Sequence, residues 1–100
     1  MPHFAAIGFD HPPHSMALRD RLRAEHRRYV LENDARILMA GAMRDAEGNQ
    51  CGTIYVFAAE SPEEVWQWLG SEPFHAGGVY ASMQVVAWSP ALNRFGPVEW

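Results

Sequence analysis

Residues Met16 to Asn33, MALRDRLRAEHRRYVLEN, contain neither glycine nor proline, and their apolar residues recur at helical spacing. A helix gathers Leu18, Leu22, Tyr29 and Val30 into one apolar stripe. Arg19, Asp20, Arg21, Arg27, Arg28 and Glu32 are expected mostly on the opposite, solvated side, with local ion pairs among them. His26 stands four residues after Leu22 and four before Val30, so its imidazole falls inside the stripe. Ser15 is positioned to cap the helix through its side-chain oxygen. Asn33 and Asp34, both tolerant of the left-handed conformation, mark its end.

One long helix leaves only short segments elsewhere. His3 to Phe9, HFAAIGF, is an apolar run stopped by Asp10-His11-Pro12-Pro13-His14, and reads as a first strand and a loop. Arg36 to Met43 and Gly52 to Ala59 are two further apolar runs separated by the polar, glycine-containing Asp45 to Gln50, the pattern of a hairpin. Ser61-Pro62-Glu63-Glu64 combines an N-cap serine, proline in the first helical position and glutamate at the third, a capping box for a second helix that Gly70 closes. Ser71 to Phe74 forms a separate turn that can open one more helical turn before Gly77-Gly78, and Val79 to Trp88 is the last strand. The order β-α-β-β-α-β specifies an α+β chain, with the ferredoxin-like four-stranded antiparallel sheet as its leading arrangement. Right-handed crossovers put both helices on one face.

AAIGF, ILMAGAM and IYVFAA hardly alternate between apolar and polar, so both faces of the sheet are expected to be apolar. A chain of 100 residues has no third layer to cover the second face. A homodimer through the sheet face is therefore expected. The single domain spans 1–100, with a core of about 3–88 and a tail of 89–100. Leu92, Phe95, Val98 and Trp100 suggest that the tail lies along another surface.

The formal charge of −4 argues against nucleic acid as a partner, since phosphate binding needs basic surface. All eight basic residues are arginine, and the five between Arg19 and Arg28 read as a solvated face. Cys51 is the only cysteine, so no intramolecular disulfide can form and nothing points to an oxidising compartment. No run approaches the about 20 apolar residues of a membrane span, and the N-terminus lacks the basic n-region of a signal peptide. The expected location is cytoplasmic, with no membrane contact.

Chemistry points to His26. Alone on an apolar stripe, a histidine is a core residue satisfied by one hydrogen bond. Two carboxylates alter that reading, because Asp10 closes the first strand and Glu72 sits in the turn after the second helix. Either could orient the imidazole and stabilise its charged form, and the pattern leaves both open. His11-x-x-His14 has two prolines between its histidines and no third ligand, so no metal site is expected. No phosphate loop or nucleophile elbow is present, and no cofactor is called for. Trp66, Trp68, Phe74, Tyr80 and Trp88 are expected in core and interface packing.

Arg23-x-x-His26, Ala40-Gly41-Ala42-Met43, Gly48, Ser61-x-Glu63-Glu64, and Glu72-Pro73-Phe74 leading to Gly77-Gly78-Val79-Tyr80 together resemble the YciI-related family, over roughly Phe4 to Trp88. The resemblance implies a ferredoxin-like fold, pairing into a dimeric α+β barrel, and a His/Asp-centred pocket. It implies kinship in fold with muconolactone isomerase and with a dehydrochlorinase acting on a chlorinated aromatic. By position, His26 matches the pocket histidine, Arg23 the arginine a turn earlier and Asp10 the acid that ends strand one. The family usually has aspartate before the proline, whereas this chain has Glu72, one methylene longer.

The expected function is a small cofactor-independent enzyme acting on a small cyclic or aromatic metabolite by isomerisation or elimination. His26 moves the proton, Asp10 or Glu72 orients it, Arg23 steadies developing negative charge, and Phe74 contributes contact to the substrate. The alternatives are a dimeric module that binds or senses a small ligand without transforming it, and a purely structural dimer.

Overall fold

A computed structural model describes residues 1–95. Four strands form one antiparallel sheet in the order β2-β3-β1-β4, with β1 His3–Asp10, β2 Ile37–Arg44, β3 Gln50–Ala58 and β4 Tyr80–Ala87. The helices are α1 Met16–Glu32, α2 Pro62–Gly70 and the short α3 Pro73–Ala76. This is the ferredoxin-like βαββαβ arrangement expected from the alternation of breakers and apolar runs, with α3 as the added turn.

Register fixes the two faces. Phe4 pairs with Phe57 and Ala87, Ala6 with Tyr55 and Val85, and Gly8 with Thr53 and Met83. Side chains alternate along each strand, so these positions share the helical face. The core there consists of Phe4, Ala6, Tyr55, Phe57, Ala59, Val65 and Leu69, with Ile37, Trp68 and Val85 packed against it. Ala5, Ile7 and Phe9 pair with residues of the opposite face, among them Val56, Ile54 and Val86. Phe9, Ile54 and Val86 are exposed, so both faces of the sheet are indeed apolar.

Local chemistry explains the joints. The β2–β3 turn is held by Asp45, whose Oδ1 accepts from the backbone N–H groups of Glu47 and Asn49. Gly48 takes φ +85° there, a conformation that glycine adopts without steric penalty. Ser15 occupies the N-cap of α1, but its hydroxyl caps nothing. It donates instead to the Val79 carbonyl at 2.7 Å and ties the helix start to the strand region. Asn33 ends α1 without a left-handed residue, its N–H reaching the Tyr29 and Val30 carbonyls. The capping box at Ser61 does not form as expected: the serine hydroxyl makes no cap, and Glu64 reaches one residue past the N-cap to accept from the Glu60 N–H.

The tail departs from expectation. Residues 89–95 are exposed, and Leu92 and Phe95 lie in solvent instead of along a surface. Val98 and Trp100 fall outside the described residues. Of the five aromatic residues expected in core and interface packing, Phe74, Tyr80 and Trp68 serve the interior, and Trp66 and Trp88 are exposed.

Candidate active site

Glu72 is fully buried, and its position follows from the turn that carries it. Pro73 opens α3 in the first helical position, and Glu72 serves as the N-cap. Its Oε1 accepts from the Phe74 N–H at 3.1 Å and its Oε2 from the His75 N–H at 3.0 Å. The extra methylene lets the same carboxylate reach farther. Oε2 accepts from the Tyr55 hydroxyl at 3.1 Å, and Oε1 meets Nδ1 of His26. Four donors thus surround an acceptor with about four lone-pair positions.

That saturation defines the state of His26. An ionised carboxylate only accepts, so Nδ1 carries the proton and, in the neutral ring, Nε2 keeps its lone pair. Phe74 fixes the plane of the ring by stacking on it at 3.8 Å between centroids, with 5° between planes. The His26 side chain is 12% exposed. Its Nε2 edge is the one left for a ligand in the cleft that the residue lines.

Asp10 and Arg19 depart from the sequence expectation. Asp10 is not a partner of His26. It sits where the β1–β4 register shifts, and its two oxygens accept from Arg19 Nε at 2.7 Å and Nη2 at 2.8 Å. Its Oδ2 also accepts from the Ser15 N–H. Arg19, expected on the solvated side, is 1% exposed. The reason lies in spacing: Arg19 is seven residues before His26, two helical turns, and shares its face. Burial alone would lower the Arg19 pKa, but the hydrogen bond to Asp10 and its charge hold it above the usual guanidinium value.

A chain of hydroxyls joins the two ion pairs. From Glu72 it runs through Tyr55 to Tyr80, 2.9 Å between hydroxyls, and from Tyr80 to Thr53 Oγ1 at 2.8 Å. Thr53 Oγ1 in turn accepts from Arg19 Nη2 at 3.0 Å. Burial pushes Tyr80 up to about 12, assisted by the charge of Glu72 and opposed by the hydrogen bonds with Thr53 and Tyr55. Burial also drives Tyr55 well above the ordinary phenol value. These hydroxyls stay protonated at neutral pH and act as fixed dipoles.

The cleft, of about 590 Å³, opens between α1 and the β2–β3 side of the sheet. Arg23 lines it with His26, donating to Gln50 Oε1 at 3.0 Å and to the exposed Asp20 at 2.8 Å. Among the described residues, no group of three His, Cys, Asp or Glu side chains is arranged to hold a metal ion. His14 Nδ1 accepts from the Met16 N–H, and Cys51 is a free, half-buried thiol. Sequence reasoning missed Arg19, Thr53, Tyr55 and Tyr80. The heptad step to His26 was the signal for Arg19, and the Thr53-x-Tyr55-x-Phe57 alternation was the signal for the helical face of β3.

The sequence pattern of the YCII-related domain matches residues 3–89. The chain belongs to this YciI-like family. The family lies within the dimeric α+β barrel superfamily, in accord with the ferredoxin-like fold. Among solved structures, the 5-chloro-2-hydroxyhydroquinone dehydrochlorinase TftG of Burkholderia phenoliruptrix AC1100, in complex with 2,5-dihydroxybenzoquinone, is 26% identical with a TM-score of 0.80. The alignment covers 89% of this chain and 95% of TftG. SnoaB of Streptomyces nogalater, a cofactor-independent oxygenase, shares the fold at 10% identity and a TM-score of 0.58, over 93% of this chain and 97% of SnoaB. No curated protein matches the YciI-like chain in sequence.

Proposed function

We propose that this YciI-like protein is a cofactor-independent enzyme acting on a small hydroxylated ring, with His26 as general acid and base. The observation that carries the reading is the His26–Glu72 pair. A buried, donor-saturated carboxylate fixes Nδ1, and the basic Nε2 edge belongs to a residue lining an open cleft. Glu72 orients and stabilises the imidazolium but does not meet substrate. Arg23 steadies the anionic oxygen that develops on the ring. Asp10 acts at a distance, by holding Arg19 against Phe74 and Thr53.

Elimination from a halogenated, hydroxylated ring suits these groups. A ring hydroxyl gives its proton to Nε2, which returns it to the halogen-bearing carbon. Halide then leaves with its bonding pair as a second hydroxyl loses its proton. The sum is loss of hydrogen halide, and no electron acceptor is needed. The likeness to TftG supports the substrate class.

A homodimer through the outer sheet face completes the proposal. Phe9 at 52% exposure, Ile54 at 41% and Val86 at 43% stand on a face that none of the described elements covers. Sedimentation of the purified protein should give twice the monomer mass, and Ile54→Lys should return it to the monomer.

The catalytic reading is tested with chlorinated hydroxyhydroquinones, following halide release and quinone absorbance. His26→Gln should lower kcat at least about 100-fold, the usual lower range for a lost acid–base group. Unchanged turnover in this variant would overturn the proposal. A ring that binds beside His26 and leaves unaltered would make the protein a ligand-holding module.

A further inference from the structure

Only part of the cleft is accounted for by the ring just described. A cavity of about 150 Å³ accommodates benzene, whereas this cleft holds about 590 Å³. Its lining is divided. The end at His26 carries Arg19, Arg23, Gln50 and Thr53, and the other is walled mainly by Val30 and Leu31 of α1 and by Ile37, Leu38 and Met39 of β2, with Arg27 and Asp34 beside them. Leu31 is 60% exposed and Leu38 55%, although both face a concave space. Water against two leucines in a concavity is the arrangement that an apolar ligand group relieves.

The polar end has its own preference. The protein is acidic, with a formal charge of −4, yet the cleft is lined by Arg19, Arg23, Arg27 and Arg44 against one acid, Asp34. Arg19 is spoken for by Asp10. Arg23 is engaged on one side by neutral Gln50 and on the other by Asp20, whose side chain is 66% exposed. A solvated pair of that kind is weak, so an anionic oxygen entering the cleft can replace Asp20 at the guanidinium.

Resting on the catalytic reading above, we propose that the substrate is amphipathic and longer than one ring. It carries an ionised ring oxygen at Arg23 beside His26, and an apolar substituent lying along Val30, Leu31 and Leu38.

The test is a homologous series. 2,5-Dihydroxybenzoquinone and its 3-ethyl, 3-butyl and 3-hexyl derivatives, with the 2,5-dimethoxy analogue of each, are titrated into the intact protein by calorimetry. NMR signals of His26 and of the leucine methyls are followed in parallel. Dissociation constants of the acidic series should fall about twofold per methylene, half the effect of complete burial in this open cleft. The leucine methyl signals should shift with the longer chains. The dimethoxy compounds should bind at least about tenfold more weakly. Leu31→Ser and Leu38→Ser, both at exposed positions, should flatten the chain-length dependence, and Arg23→Gln should erase the preference for the acidic ring.

A series with no chain-length dependence overturns the proposal even if the parent ring binds beside His26, which leaves the catalytic reading standing. Equal binding of the dimethoxy analogues also overturns it. Absence of any binding sinks both readings. If the leucine methyls respond to protein concentration and not to ligand, the patch belongs to a second copy of the chain and the proposal fails.

Discussion

Phe74 lies flat on the imidazole of His26, its ring 3.8 Å away between centroids and 5° from parallel. The opposite side of Phe74 faces the Arg19 guanidinium, whose central carbon is 5.2 Å from the ring centroid. The phenyl ring is thus a spacer between two cationic or potentially cationic groups, and its π faces favour both. Phe74→Leu keeps most of the volume and loses the flat surface. Urea denaturation should show a loss of about 1–2 kcal/mol. The His26 ring-proton resonances should lose the shielding of the stacked ring, and kcat should fall with little change in KM.

Asp10 and Arg19 are a desolvated pair, with side-chain exposures of 0% and 1%. Arg19→Met strands a buried carboxylate and should cost about 3–5 kcal/mol, and Asp10→Leu should cost a similar amount by stranding the guanidinium. The double variant removes both charges and should be clearly more stable than the sum of the singles predicts. Denaturant unfolding of the four proteins closes the cycle. Strict additivity would mean that the pair contributes nothing as a pair.

All three tyrosines hold their protons more tightly than the ordinary value of 10.0, because each is partly or wholly desolvated; Tyr80 is pushed up to about 12. In the unfolded chain these phenols ionise near pH 10. Between that pH and about 12 the unfolded state therefore binds fewer protons than the folded one, and stability falls as pH rises. Below pH 10 the contribution is fully present. Tyr80 alone accounts for roughly 3 kcal/mol across that window. A pH titration by tyrosinate absorbance should show ionisation delayed past pH 10 and arriving together with loss of near-ultraviolet circular dichroism. Ionisation at pH 10 in the folded protein would contradict this.

Gly8 has no room for a side chain. A Cβ there would stand 2.7 Å from Met83 Cε and 3.0 Å from the Tyr80 ring. Methionine can swing aside, but the Tyr80 hydroxyl is bonded to Thr53 and Tyr55 and keeps its ring in place. Gly8→Ala should therefore cost about 1–3 kcal/mol and displace the Tyr80 resonances. Gly41→Ala, with nothing within 4 Å of the added carbon, is the control and should be neutral or slightly stabilising. Equal effects at the two positions would refute the argument.

The alternation of breakers and apolar runs made the fold legible, because each strand is short and each helix start carries its own signal. His26 was visible as a polar intrusion in a periodic stripe. Glu72 was visible only as one of two candidates, since its choice over Asp10 depends on where α3 turns the carboxylate inward, a tertiary fact. Arg19 was hidden by its type: arginine in a run of arginines reads as solvent-facing unless its two-turn spacing from His26 outweighs its charge. Tyr80 reads as a packing aromatic and Tyr55 only as part of an apolar strand, and their hydroxyls acquire a role only when the β1, β3 and β4 registers bring them within 2.9 Å of one another. In the tail, Leu92 and Phe95 imply burial that the described residues do not supply.

Glu72 holds the start of α3 with two of its bonds, clasps β3 through Tyr55 with a third, and aims His26 with the fourth. A library of variants sorted only for resistance to heat would therefore retain this carboxylate, and with it the poise of the imidazole, without any substrate ever being offered. Arg23 stands outside that protection. Heat-sorted lineages should drift at the arginine while keeping the glutamate, so hardiness and turnover would part company at one named side chain.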